Sequence, residues 1–591
     1  MYEGLMEQAK AMEESRSSDD FVADGSLDLR GHPVIRGRTG TWRASFFIIG
    51  VEIAERFAYA GILSNLVTYL TTVLHESTAA AASNVNIWSG VASMLPFLGA
   101  FIADSYLGRY WTILVASLVY LLGLILVTLS ASLKSLKASQ SRIGFFFFSL
   151  YLVALGQGGH KPCLQAFGAD QFDDEDPKEK KHKSSFFNWW YFGICLGTLA
   201  GVTVLMYIQD NVGWGVGFGI PAITMAMTLI VFLCGTRFYR NKLPSGSPLT
   251  RIIHVFVAAF LKRKSPIPSR EPNQSIFIQE EEVLKAGSRR QLLQTNHFRF
   301  LDKATVEDDL DFEGKAKRNW RLCTVQQVEE VKLLLGMSPI WMGCLMFGVV
   351  FAQSSTFFTK QGNTMDRKLG RNFKIPPASL QAFIDISILL LVPVYDRFFV
   401  PIARRLITGN ERGITLLQRI GTGMFVSAIS MIVAAVIEIK RLKVAKDNGL
   451  VDVPSATIPV SIFWLLPQYI LFGTADVFTM VGMQEFFYDQ MPDTMKSLGI
   501  AVYLSVLGVG SFLSSILISI IEKVTCRKDQ CWFANNVNKA HLDYFYWLLA
   551  SLSVLNLGMF IALASCYKYK NAACPDTEKT CSEKRLLANE L

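Results

Sequence analysis

Uncharged apolar blocks long enough to cross a bilayer decide what this chain can become. Residues 119–129 and 143–155 lack a charged side chain, and a soluble surface would not tolerate such runs. A helix needs about 20 apolar residues to span the hydrocarbon core. Windows of that kind fit near 44–74, 84–103, 109–132, 144–168, 186–209 and 216–236. A second set fits near 333–358, 377–397, 415–438, 458–482, 496–521 and 542–567. An even count returns the C-terminus to the side of the N-terminus. Composition agrees: 51% of residues are hydrophobic and 18% charged, below the roughly 25% charged of soluble domains.

The net charge of +9 is not a nucleic-acid signal. The basic residues sit between apolar blocks with acidic ones among them, as in cytosolic loops facing an anionic leaflet. With both termini cytosolic, the 169–185 and 237–332 loops lie inside, although the outer loops at 359–376 and 439–455 are basic too. Most of the ten cysteines lie in or beside apolar blocks, where a thiol behaves as a small hydrophobe. Cys526 and Cys531 flank a polar loop and could form a disulfide if that loop faces an oxidising side. The first forty residues are polar, without the pattern of a signal peptide.

The expected organisation is a cytosolic tail (1–43), a six-helix bundle (44–236), a cytosolic linker (237–332), a second six-helix bundle (333–567) and a cytosolic tail (568–591). The linker begins with an apolar then basic run, 249–264. That run reads either as a lateral amphipathic helix at the membrane interface or as part of a disordered linker. Two six-span halves joined by a long loop describe the major facilitator architecture.

Charges inside apolar blocks carry the chemistry. Glu52, Glu55 and Arg56 fall in the first span at spacings that bring them together on a helix. Each ionisable group at the bilayer centre costs roughly 2.5–3.5 kcal/mol on insertion scales, so three in one turn must face protein or water. The functional reading is a proton site; the alternative is a static ion pair. In 156–163 (GQGGHKPC), Lys161 stands before Pro162 in the fourth span. Pro162 removes a backbone donor and Gly158–Gly159 loosen the helix, so Lys161 could swing toward the carboxylates, or snorkel to water. His160 reads as packing. Asp476 is a lone acid in the tenth span. It could meet a cationic group on a substrate, counter Lys161, or cap a helix break near Gly473. Tyr59, Tyr69, Trp341, Phe351 and Trp464 could line a cavity, though each fits packing or an interfacial belt as well.

Asp104 and Arg109 between the second and third spans have a loose counterpart in Asp396, Arg397, Arg404 and Arg405, an acid–base pairing suited to gating. The acidic run 170–176 raises an enzyme class, since aspartate-rich loops of membrane prenyltransferases bind diphosphate through magnesium. Lysines follow at once and no second acidic cluster appears in the other half, so the run reads as a solvated loop and the chain as no enzyme, with no metal or cofactor.

These motifs converge on a family. The chain resembles plant members of the proton-dependent oligopeptide transporter family, also called the nitrate/peptide transporter family, from about Asp28 to Leu563. The resemblance rests on Glu52–Glu55–Arg56, on 99–113 (GAFIADSYLGRYWTI), and on Lys161-Pro-Cys163 with 167–172 (FGADQF). It extends to Phe187–Asn188 and 485–490 (EFFYDQ). The stretches from Asp28 to Pro33 and from Val477 to Met483 are similar to a subgroup that includes vacuolar nitrate transporters. The resemblance implies an all-α membrane protein of the major facilitator fold, with twelve transmembrane helices in two six-helix halves. It implies that Glu52, Glu55 and Arg56 couple protons with Lys161 as partner. Asp476 falls where the family usually has a glutamate that meets substrate. Tyr59 is followed by Ala60 instead of a second tyrosine, and Leu63 stands where bacterial peptide transporters have an arginine. Phe351 aligns with a nitrate-binding histidine of a plant relative. The expected substrate-binding set is Tyr59, Lys161, Phe351, Gln353 and Asp476. Ser105 matches a phosphorylated threonine of a nitrate-sensing relative, which implies a regulatory kinase; its plain reading is a turn or cap residue.

The expectation is therefore a proton-coupled symporter of a small anionic solute, nitrate first, in the plasma or vacuolar membrane. Peptides or larger organic solutes such as hormones or glycosides are the rival cargo. A receptor that binds solute without moving it is a different class.

Overall fold

The computed structural model describes residues 22, 26–132, 140–173, 176–242, 248–263, 297–306, 322–370, 373–399, 402, 405, 414–454, 456–491, 496–526 and 531–567. Twelve helices that fall in the expected spans organise them. The first six are α1 (Thr41–Leu63), α2 (Thr78–Ile102), α3 (Arg109–Ser132), α4 (Gln140–Ala169), α5 (Pro177–Ala200) and α6 (Trp214–Cys234). The last six are α7 (Val325–Phe351), α8 (Ala382–Val394), α9 (Leu416–Asp447), α10 (Leu466–Gln490), α11 (Lys496–Thr525) and α12 (Leu542–Cys566). Among the described residues, eleven helical segments are long and apolar enough to cross a membrane. The twelfth, α1, has the length at 23 residues but carries Glu52, Glu55 and Arg56 in its middle. The chain is a multi-pass α-helical membrane protein with the major facilitator arrangement.

Local chemistry sets the helix ends. Ser77 caps α2 by accepting from the Ala80 N–H. Asp176 caps α5, with Pro177 at the first position, where a missing N–H costs nothing. Capping boxes start α7 (Thr324 with Gln327) and α9 (Thr415 with Gln418). Gly108, at φ 75°, separates a π-helical turn (Ala103–Leu107) from α3, a backbone state that favours glycine.

The expected first span, 44–74, is broken: α1 ends at Leu63 and a short helix, Leu66–Thr72, follows. The ninth helix runs beyond the apolar window, because the fully buried pair Glu438–Arg441 extends it. Helix α8 is short, but flanking 3₁₀ and π turns carry it over Pro377–Phe399. Pro162 lies inside a continuous α4. Gly158 and Gly159 do not break that helix. A Cβ on Gly99 of α2 would overlap the Gly158 carbonyl, and one on Gly159 would press on Ala116 of α3. They are contact points where helices cross closely, the usual role of small residues between membrane helices.

The halves meet chiefly along α2 and α11. Asn86 donates to Ser514 at 3.0 Å, and Gly90 lies under the Phe512 ring. In the linker, a helix spans Pro248–Leu261. It buries Val255, Ala258 and Ala259 with Leu301, Val328 and Val331, and turns Ile253, Phe256 and Phe260 outward. Its neighbour, the 3₁₀ turn Arg299–Thr305, is fixed to α7 by Lys332–Asp302 at 2.6 Å. Lys264 and most of the linker lie outside the described residues, as do Arg404, most of the first 25 residues and the tail at 568–591.

Candidate functional site

The centre of the N-terminal half is an ionic cluster on α1. Arg56 donates through Nε to Glu52 Oε1 at 2.6 Å and lies 3.3 Å from Glu55 Oε2. One helical turn brings these groups together, as their spacing requires. Glu52 is 1% exposed and Glu55 0%. Gln157 of α4 donates to Glu55 Oε1 at 3.0 Å. The second oxygens of both glutamates accept no hydrogen bond.

Lys161, one turn beyond Gln157, makes no ion pair with either glutamate. Its ammonium lies over the Tyr59 ring, 4.4 Å from the centroid, close enough to sense both carboxylates. Lys161 is thus a cation on an aromatic face, beside the two carboxylates. His160 is fully buried with both ring nitrogens unpartnered. From the other half, Tyr503 of α11 comes within electrostatic reach of Arg56.

The remaining expected substrate-binding residues, Phe351, Gln353 and Asp476, lie in the C-terminal half. Phe351 ends α7 and packs on Phe472 of α10, centroids 5.8 Å apart. Asp476, one turn on, is 4% exposed and its Oδ1 has no partner. Gln353 is fully buried and donates to Val349 O at 2.7 Å and Ser514 Oγ at 3.0 Å, so it belongs to the polar seam joining α7, α11 and Asn86 of α2. Among the other aromatics, Tyr69 is buried in a packed cluster with Phe146, Trp214 and Phe218. Trp341 donates to Ser505 Oγ at 2.9 Å. Trp464 is half-exposed under the Lys440 ammonium, as in an interfacial belt.

Near the π turn, Arg109 lies 3.8 Å from Asp104. Its tighter partner is Asp170 at the end of α4, which also faces Lys242 at 3.8 Å. The described acids of the run are therefore paired within the protein: Asp170 with Arg109, and Asp173 and Asp176 with Arg36 at 2.6 and 3.5 Å. Just beyond the run, Glu179 is buried against Arg240 at 2.7 Å. Asp174 and Glu175 lie outside the described residues. Ser105 lies inside the π turn, not at a cap, and its Oγ is unpartnered. The opposite end is tied across the halves. Lys360 donates to Thr71 Oγ1 at 2.8 Å, and Gln381 to Ser64 O at 3.1 Å. Arg367 lies 3.8 Å from Asp210. Cys526 and Cys531 are disulfide-bonded at this end.

Gln157 and Tyr503 escaped the sequence reading, and Asp170 entered it only as part of the acidic run. A position four residues before Lys161 could have raised Gln157, since it must share a face with the lysine. No local signal marked Tyr503. Among the described residues, no three His, Cys, Asp or Glu side chains gather as metal ligands would.

Comparison with known proteins follows from this geometry. Residues 110–538 match the model of the POT family. The chain is similar to Protein NRT1/PTR FAMILY 5.10 of Arabidopsis thaliana, 53% identical over 560 residues, covering 92% of this chain and 96% of the relative. It is similar to Protein NRT1/PTR FAMILY 5.4 of the same plant, 48% identical over 551 residues, covering 92% and 98%. The crystal structure of an auto-inhibited POT family peptide transporter superposes with TM-score 0.67 at 24% identity, covering 90% of this chain and 99% of that one.

Proposed function

The chain belongs to the POT family of membrane transporters, and on that premise we propose that it is a proton-coupled symporter of a small anionic solute, nitrate first. The observation that carries this reading is the α1 cluster: two buried carboxylates share one contacting guanidinium, while a second cation waits on the Tyr59 ring. With Glu52 and Glu55 ionised, Arg56 and Lys161 balance them. One proton on either carboxyl leaves one positive charge in excess, which a monovalent anion neutralises. Proton and anion then load together, and neither crosses a low-dielectric interior with an uncompensated charge.

Loading takes place between the halves, with Tyr59, Lys161, Phe351, Gln353 and Asp476 as the groups that meet the solute. Lys161 moves from Tyr59 to a carboxylate once the proton leaves. Asp104 and Arg109, with Asp170, hold one end of the cycle, and phosphorylation of Ser105 would compete for Arg109. The account fits the plasma or vacuolar membrane, with the disulfide-bonded end away from the reducing cytosol.

One observation favours a second cargo. Asp476 is a buried acid with a free oxygen, suited to an amine, and the similar crystal structure is of a peptide transporter. Proteoliposomes separate the two. Inward proton flux on adding nitrate supports the first reading. Flux on adding di- or tripeptides alone supports the second. A solute that accumulates with no proton movement removes both.

A further inference from the structure

Gln157 leaves a buried acceptor without a donor. Its Nε2 donates to Glu55 Oε1 at 3.0 Å, yet its own Oε1 has no partner, and the residue is fully buried. An unpaired buried carbonyl oxygen is costly, so its retention calls for a reason. The backbone is held in place on both sides. A Cβ on Gly156 would press on the Tyr120 backbone of α3 at 2.5 Å, and one on Gly158 on Leu95 Cβ of α2 at 2.5 Å. Two helices therefore pin α4 around Gln157. What stays soft is the last torsion of the side chain, which is broad for an amide.

Among the described residues, Gln157 makes the one hydrogen bond to Glu55. The other charged and titratable groups come from α1, α3, α4 and α11. On α1, Arg56 lies 3.3 Å from Glu55 Oε2 and donates to Glu52, and Tyr59 carries the Lys161 ammonium over its ring. On α4 itself are Lys161 and His160, the latter without a partner on either ring nitrogen. From α3 comes Tyr120, its hydroxyl buried and unpartnered. From α11 comes Tyr503, within electrostatic reach of Arg56. Helix α2 has no titratable side chain, and α5 meets α4 near Gly168, about three turns further on. No other neutral group is hydrogen-bonded to Glu55. Gln157 is, and its amide carries both a donor and an acceptor.

We propose that Gln157 is the positioning residue of the proton site: its amide donates to Glu55 as a carboxylate and, turned over, accepts from Glu55 as a carboxylic acid. An ionised carboxylate is acceptor-only, so Nε2 must face it, and this leaves Oε1 without a partner. A proton taken up by Glu55 puts an O–H where the acceptor was. A half-turn of the amide then presents Oε1 to that O–H. The unpartnered oxygen is the reserve acceptor for the other protonation state. The bond to the charged form is charge-assisted and the stronger of the two, so Gln157 on balance favours release of the proton from Glu55. Its use in transport rests on the symport reading; the bond itself does not.

Infrared difference spectroscopy on the full-length protein in lipid, titrated with pH, tests the bond without transport. The carboxylic-acid band of Glu55 is the one that Glu55→Gln removes. Gln157→Met keeps most of the volume and removes the amide. It should move the midpoint of that band about one pH unit upward, since the stronger of the two hydrogen bonds is lost from the charged form. Gln157→Leu should do the same, and takes its place if the methionine variant does not assemble. Equal midpoints in wild type and variant, or a Glu55 that takes up no proton in either, overturn the proposal. In proteoliposomes, the pH at which solute-driven acidification is half-maximal should rise by the same unit in Gln157→Met, and an unmoved profile overturns its part in coupling. Wild type that moves no protons with nitrate or peptides removes the symport reading, and the infrared midpoints still decide Gln157.

Discussion

Lys161 is the residue on which the proposed coupling turns. It is held by a ring, not by a carboxylate, so it is available to both glutamates and committed to neither. Lys161→Ala should therefore abolish proton-driven accumulation, because two carboxylates left with Arg56 as their one counter-charge hold a proton more tightly and stall the cycle. Lys161→Arg should retain part of the activity. Uptake into proteoliposomes under an imposed pH gradient decides it, and full activity of the alanine variant would falsify the partnership. This residue and the α1 trio were legible in the sequence because charges inside apolar runs are rare and costly. Asp385 and Asp476 are equally costly. Asp476 was read as a lone acid on that signal, while Asp385, an acid in the apolar stretch of α8, carried the same signal and went unremarked. Asp170 was hidden differently: within a charged loop it looked solvated, and only folding pairs it with Arg109.

At the scale of helices, close crossings set where the site residues stand. Gly99 against Gly158 fixes α2 on α4, two residues from His160 and three from Lys161. Gly99→Ala should cost roughly 1–3 kcal/mol by overpacking, because its obstacle is backbone and cannot swing aside. Gly336→Ala on α7, which meets nothing within 4 Å, should leave stability unchanged or slightly raised. Thermal unfolding in detergent measures both, and equal midpoints would refute the crossing as a constraint. Span positions were readable from apolar length alone. The break after Leu63, the extension of α9 past Glu438 and the closeness of α8 to α10 were not, since each depends on partners distant in sequence.

Across the whole molecule, the two halves are pinned at the end carrying Lys360 and Thr71. Lys360 lies beyond the α7 span, and burial pushes its ammonium down from the ordinary 10.5 to about 8. If opening this end returns Lys360 to water, its proton is held less tightly when closed than when open. Raising the pH from about 8 toward 10 then favours the closed form, whereas below 8 both forms are charged and pH has no leverage through this group. Spin-label distances across this end in lipid should shorten on average over that window in wild type and stay flat in Lys360→Met. An unchanged pH response in the variant would remove Lys360 from the gate.

The central claim is that protons enter through the α1 carboxylates. Its most direct measurement is internal acidification of proteoliposomes on adding external solute, with nitrate first and di- and tripeptides next, in wild type and Glu55→Gln at matched incorporation. The account predicts that wild type acidifies with at least one of these solutes. Glu55→Gln should lose at least ten-fold of that proton flux, roughly 1.4 kcal/mol or more in rate, while still exchanging labelled solute at equal concentrations on both sides. Equal acidification by wild type and Glu55→Gln would contradict it.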